Sequence, residues 1–327
     1  MNAIKKKHHY VPVSYLKAFC GDDGKLHAYR KEEPKRPFKS APDGVAFEKY
    51  YYAQPTPDGG RDTNRIEDTF SELETKWPPI VNRLVEGDLP NDELEDLFAF
   101  IALQRARVPA ARDAAEKMLA NSVLATTRQM QVDEKLPPLP PGMENLLDHV
   151  VVSIDPHQSI HAMVQILQAT GTVLDRVGLG VLHNKTDIEF LTSDNPVVYF
   201  DPAVPDDELQ PYALKNDGHV VLLMPVSPTM LLYGTSWDQP RFASEGLSSA
   251  DLEDVDMVAH INKLIVRFGY QAVFARNTPD TALIERYADT SPITRADHIS
   301  VNGRQAVLFS NVFGPREIKP KWEGRQR

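Results

Sequence analysis

The spacing of apolar residues changes character once along this chain, near residue 176, and that change sets its fold class. Upstream, Ile66, Phe70, Leu73 and Trp77 recur at helical spacing, and Leu94, Leu97, Phe98 and Ile101 repeat the pattern. Stripes of this kind mark helices that bury one face. Downstream, VGLGVLHN, IEFLTS, HVVLLMPVS and TMLLYGTS are short apolar runs bounded by turn residues, the mark of strands. Helices and strands segregated in this way predict an α+β fold. A mostly helical first half, 1–175, should pack on a mixed α/β second half, 176–327, carrying a small, largely antiparallel sheet. At 327 residues the chain can form this as a single large domain.

Local signals refine the outline. Pro12 suits the first position of a short helix over 12–19, which Gly21 and Gly24 end. Residues 25–30 alternate as a strand, and 31–60 read as loop except for the aromatic stretch FEKYYYA, expected as a short strand. Asp62 and Thr63 are candidate caps of the first long helix, which Pro78 and Pro79 interrupt. Asn91 is placed to cap the next. Pro109 breaks the pattern before a helix over about 110–130. KLPPLPPG, at 135–142, is a linker. Further helices are expected over 142–151, over 156–174, and over 248–268 with continuation into the 270s. QAVLFS, near 305–310, is a last strand.

Charge and composition narrow the function classes. The net charge of -10 argues against a protein that grips nucleic acid through its overall field. Basic stretches remain at 5–7, in RKEEPKR and in the tail REIKPKWEGRQR; they read as solvated ends or as phosphate-binding patches. The single cysteine, Cys20, excludes an internal disulfide framework and a cysteine-based zinc cluster. No run approaches the roughly 18 apolar residues of a membrane helix, so no membrane association is expected. The lysines at the start lead into no apolar segment of the secretory kind, and the cytoplasm is the expected compartment. Neither G-x-x-x-x-G-K-[ST], H-E-x-x-H nor G-x-S-x-G occurs, and Gly178-Leu179-Gly180 lacks the rest of a dinucleotide fingerprint.

The candidate chemistry is dispersed. His8 and His9 precede an aromatic anchor formed by Tyr10, Val11, Tyr15, Leu16 and Phe19. Adjacent residues on an extended chain point in opposite directions, so one histidine, taken as His9, faces a site while His8 faces solvent. Its imidazole can act as acid, base or ligand near neutral pH, or simply hydrogen-bond a loop. Gln104, Arg105, Arg107 and Arg112 supply an amide and guanidinium forks suited to phosphate or carboxylate. They suit equally salt bridges to Glu67, Glu72 or Glu74. Asp194 and Asn195, in Ser193-Asp194-Asn195-Pro196, stand at a strand end, a common place for functional groups and an ordinary turn. His157 and His161 share a helix face with His149 near in sequence, yet no third metal ligand is fixed by the spacing. Asn262, between Ile261 and Leu264, is expected to be buried and to pin structure.

The opening His9-Tyr10-Val11-Pro12, with Tyr15-Leu16 and Phe19, resembles the H-x-V-P-x-x-Y-L-x-x-F start of a bacterial family of unknown function, the domain-of-unknown-function family numbered 4238. Ile66-Glu67, Gln104-Arg105 with Arg107 and Pro109, and Ser193-Asp194-Asn195-Pro196 look like further pieces of it. The resemblance implies a soluble bacterial protein in which His9, Glu67, Gln104, Arg105 and Asp194 belong together. It implies no established activity.

Three functions follow as expectations. The first is a hydrolase acting on a phosphodiester or nucleotide. There His9 serves as acid or base, and Asp194 with Glu67 orients it or holds a divalent metal. Gln104, Arg105, Arg112 and Asn195 bind the substrate. The second is a non-catalytic binding or regulatory protein for a small anionic ligand. In the third, the same residues are buried pairs that fix the two halves together.

Overall fold

A computed structural model describes residues 4–143, 145–278, 281–317 and 319–320. The opening strand β1 (Lys7–His9) passes through Pro12 into one turn of helix, α1 (Val13–Leu16), extended as a 3-10 turn over Lys17–Phe19. Strands β2 (Leu26–Arg30), β3 (Phe38–Ser40) and β4 (Phe47–Lys49) follow, then the two-residue pair β5 (Gln54–Pro55) and β6 (Arg61–Asp62). Five helices come next: α2 (Arg65–Glu74), α3 (Trp77–Val85), α4 (Leu94–Ala106), α5 (Pro109–Val132) and α6 (Pro156–Leu174). Beyond them run β7 (Gly178–Asn184), β8 (Thr192–Ser193), β9 (Val198–Phe200), β10 (Val221–Ser227) and β11 (Met230–Thr235). The chain continues through α7 (Gln239–Glu245), β12 (Ser248–Leu252), α8 (Val255–Phe268), β13 (Ala272–Ala275) and α9 (Thr281–Arg286). The hairpin of β14 (Ser291–Val301) and β15 (Arg304–Gly314) follows.

The fold is α+β. A five-stranded sheet, ordered β12-β7-β11-β10-β9, is antiparallel except where β12 runs parallel to β7. A four-stranded antiparallel sheet, β3-β2-β13-β8, takes two strands from each half of the chain. The halves are therefore interleaved as well as packed. One core cluster joins Tyr15, Leu16 and Phe19 of the opening to Trp77 and Phe100 of the helices and to Leu222 and Met224 of the sheet. Trp77 stacks on Phe100 with ring centres 4.0 Å apart. No helix among the described residues is long and apolar enough to cross a membrane.

Several boundaries differ from the sequence reading, each for a local reason. Pro78 and Pro79 fall in the first turn of α3, where their missing N–H groups have no helical partner to lose; they begin a helix. Pro109 likewise opens α5 and forces Val108 to an extended φ of -75° and ψ of 153°. That corner puts Arg105 and Arg112 on different helices. Asn91 does not cap a helix through its side chain, which instead accepts from the Leu247 N–H at 2.8 Å. Among the described residues of 142–151 there is one 3-10 turn, Leu146–Asp148, and Met143, Leu146, Val150 and Val151 stay exposed. The segment 248–268 divides at Asp254, whose carboxylate caps α8 by accepting from the Asp256 and Met257 N–H groups; the stretch before it pairs with β7. In IEFLTS the ladder covers Thr192–Ser193 alone. Asn262 takes the sheet's place there, accepting from Leu191 N at 2.9 Å and donating to Glu189 O at 2.8 Å.

Candidate functional site

The opening segment is held by its backbone. Pairing of β1 with β4 sets His8 opposite Glu48 and His9 opposite Phe47. The face carrying His8 turns inward, so the expected roles of the two histidines in burial are reversed. His8 is fully buried, its ring stacked on Tyr52. Its Nδ1 accepts from the Tyr52 N–H at 2.8 Å and its Nε2 donates to Lys5 O at 3.1 Å. His9 is half-buried against Phe47, with Nε2 3.3 Å from Asp43 O. Burial holds both imidazoles below their usual pKa, and the Arg107 charge adds to this at His9.

The last turn of α4 is buried on all sides, so its polar groups need partners there. Gln104 donates through Nε2 to Tyr10 O at 3.0 Å. Arg107, just beyond the helix, donates to the adjacent carbonyl of His9 and to Glu74 Oε1, the latter at 2.5 Å. Consecutive carbonyls of the opening motif are thus gripped by the second motif. Tyr15 reaches the residue just before the third motif: its hydroxyl donates to Pro225 O at 2.6 Å and lies 2.7 Å from Thr192 Oγ1. Glu67 sits near Arg107 and Glu74 with Oε1 buried and without a hydrogen-bond partner. Burial pushes its pKa up to about 7, against the pull of Arg107.

Asp194 is also committed to backbone. Its Oδ1 accepts from Tyr270 N and its Oδ2 from Gln271 N, both at 2.7 Å, and its own N–H donates to Ala272 O. The carboxylate therefore clamps the turn between α8 and β13. Full burial raises its pKa even against the backbone N–H groups of Tyr270, Gln271 and Ala272, which favour the carboxylate. Lys31, buried nearby, donates to Gly269 O at 2.7 Å and to Thr290 O, and burial lowers its pKa to about 7. Among the described residues no hydrogen bond or ion pair joins Asp194 to His9, Glu67 or Arg105. The expected four-part constellation is not drawn into one hydrogen-bonded site.

Arg112, expected to bind ligand, is consumed internally. It donates to Ser159 Oγ at 2.7 Å, to Tyr51 O at 2.5 Å and to Pro156 O, with Glu116 3.5 Å away. Asn195 is buried, and its amide donates to Tyr212 Oη at 2.6 Å and Phe268 O at 2.8 Å.

Arg105 differs from all of these. It is 8% exposed, and its guanidinium makes no hydrogen bond or ion pair among the described residues; Nε and Nη1 are buried without partners. Its one strong contact is with Tyr212, whose ring centre lies 3.6 Å from the guanidinium carbon. Burial raises the Tyr212 hydroxyl to about 12, so the ring remains a neutral cation–π platform. Arg105, Tyr199 and Tyr212 line a cavity of about 790 Å³ between α5, α6 and the β14–β15 hairpin. The two tyrosine rings meet edge to face at 4.8 Å. His161 lines the same cavity, whereas His157 has its Nδ1 buried without a partner. No group of three His, Cys, Asp or Glu side chains able to hold a metal ion is found among the described residues. Tyr199 and Tyr212 escaped sequence reasoning. Tyr199 is an ordinary strand residue of β9, and Tyr212 sits in a loop where no periodicity marks it.

The family model described as "Protein of unknown function (DUF4238)" matches residues 7–279. No curated protein and no solved structure matches the chain.

Proposed function

This chain belongs to the DUF4238 family, and we propose that it is a binding protein for a small anionic ligand held by Arg105. One observation carries the reading: a guanidinium, 8% exposed and without a protein acceptor, on the wall of a large cavity. A buried charge left unpaired is strongly destabilising, and an unsatisfied charged donor loses more than the roughly 1–3 kcal/mol of a neutral one. An anion arriving through the cavity would relieve that penalty, and the Tyr212 face keeps the cation oriented for it. The other polar residues of the motifs build the frame. Gln104 and Arg107 hold the opening strand, and Asp194 and Asn195 hold the segment that supports Tyr212. Melting of the full chain with and without short carboxylates and phosphate tests the reading. The melting temperature should rise with the anion in the natural protein and stay unchanged in Arg105→Met; equal rises in both proteins would remove its basis.

Hydrolysis of a phosphodiester or nucleotide is a second reading, favoured by one feature. Glu67 keeps its proton to about pH 7 within the same charge cluster as His9, as a general acid requires. It ranks second because Asp194 and Arg112 are occupied elsewhere.

A further inference from the structure

The lining of the Arg105 cavity restricts which anion it can hold. Among the described residues around it, Arg105 carries the single permanent charge, and no Asp, Glu or Lys joins it. A dianion or a polyphosphate would bring charge that no second permanent cation there meets, and burying such charge unpaired is prohibitive. Away from Arg105 the wall is mostly hydrocarbon, with Ser122, Gln158, His161, Gln165, Thr294 and Asn311 as its neutral polar or titratable members. Ala114, Met118, Leu119 and Val123 of α5 face Ile166 of α6 and Ile293 of the hairpin. Met118, Leu119 and Val123 are 44%, 41% and 48% exposed, large apolar side chains left open on a concave surface. Such surface marks a site that something apolar covers. The volume, about 790 Å³, lies within the roughly 300–1,000 Å³ of small-molecule pockets.

Resting on the reading of Arg105 as an anion holder, we infer that the ligand is an amphipathic monocarboxylate. Its carboxylate meets the Arg105 guanidinium and its hydrocarbon body lies along α5 and α6 under the hairpin. The division of labour follows the chain. Arg105, Tyr199 and Tyr212 lie inside the stretch matched by the family model, whereas Pro292, Ile293, Thr294 and Asn311 lie beyond residue 279. Head recognition thus belongs to the family's common region, and part of the tail wall is added by the C-terminal hairpin.

Calorimetric titration of the full chain with butanoate, hexanoate and octanoate tests this, with octylamine and octyl phosphate as controls. Affinity should rise about 3- to 4-fold per added methylene, octanoate should exceed both controls at least tenfold, and Arg105→Met should weaken octanoate at least tenfold. Met118→Glu places a carboxylate on an exposed part of the tail wall. It should weaken octanoate by a similar factor at an unchanged melting temperature, so the test survives if Arg105→Met folds poorly. Arg105-dependent binding that is flat with chain length, or octyl phosphate binding as tightly as octanoate, would overturn the monocarboxylate and leave the anion reading standing. Octanoate binding indifferent to Arg105→Met, or matched by octylamine, would overturn both.

Discussion

The guanidinium carbon of Arg105 stands 3.6 Å from the centre of the Tyr212 ring. Two motifs far apart in sequence meet through that contact, because the Tyr212 hydroxyl accepts from the Asn195 amide at 2.6 Å. Tyr212→Phe keeps the ring and removes only the hydroxyl. It should lower stability by about 1 kcal/mol and leave anion binding within a factor of about 3. Tyr212→Leu removes the platform as well, and a cation–π contact of about 0.5–2 kcal/mol implies a loss of about 2- to 30-fold in anion affinity. Chemical denaturation and titration of both variants separate the two effects.

Asp194→Asn tests the frame. An amide offers one oxygen where the carboxylate offers two, so either Tyr270 N–H or Gln271 N–H would face an NH₂ group. A loss of about 2–3 kcal/mol is expected from one buried unsatisfied donor next to a charged acceptor site, read from urea denaturation. Unchanged stability would return Asp194 to the hydrolytic reading.

Arg107→Lys keeps the charge but not the fork that spans the His9 carbonyl and Glu74. Lysine is a point donor, and one of the two acceptors would go unmet. Destabilisation by about 2 kcal/mol is expected, with hydrogen exchange rising first in β1, where the clamp acts.

Glu67 predicts a pH dependence. Its folded pKa, raised to about 7, lies above the unfolded value of about 4.3. Between these limits the folded state holds more protons than the unfolded chain, so stability is greatest below the unfolded pKa and falls as pH rises toward 7. Glu67→Gln should flatten that slope between pH 5 and 8 and stabilise the protein at pH 8 relative to the natural chain. Lys31 runs the other way over a higher window. Its pKa is lowered to about 7, so its contribution improves from pH 7 toward 10, and the two slopes are separable.

Apolar periodicity made the α+β class and most helices legible, because stripes such as Leu94–Leu97–Ile101 have no other packing solution. Short strands were harder. β12, SSADL, and β13, AVFA, show no apolar–polar alternation, and β8 is cut short because Asn262 satisfies the neighbouring backbone. The motif residues stand out in the sequence as a group, but their roles depend on partners the sequence does not display. Gln104 and Arg107 bind main-chain carbonyls, and Asp194 binds main-chain N–H groups. Backbone groups are the same at every position, so no spacing rule reveals such pairs. Arg105 looks in sequence like its neighbours; the absence of an acceptor around it among the described residues is visible only in three dimensions.

The most direct test of the account is a calorimetric titration of hexanoate into the full chain and into Arg105→Met. A saturable isotherm with one site per chain, weakened at least tenfold by the substitution while the melting temperature is kept, is the predicted result. Superimposable isotherms from the two proteins, or no heat of binding in either, would contradict it.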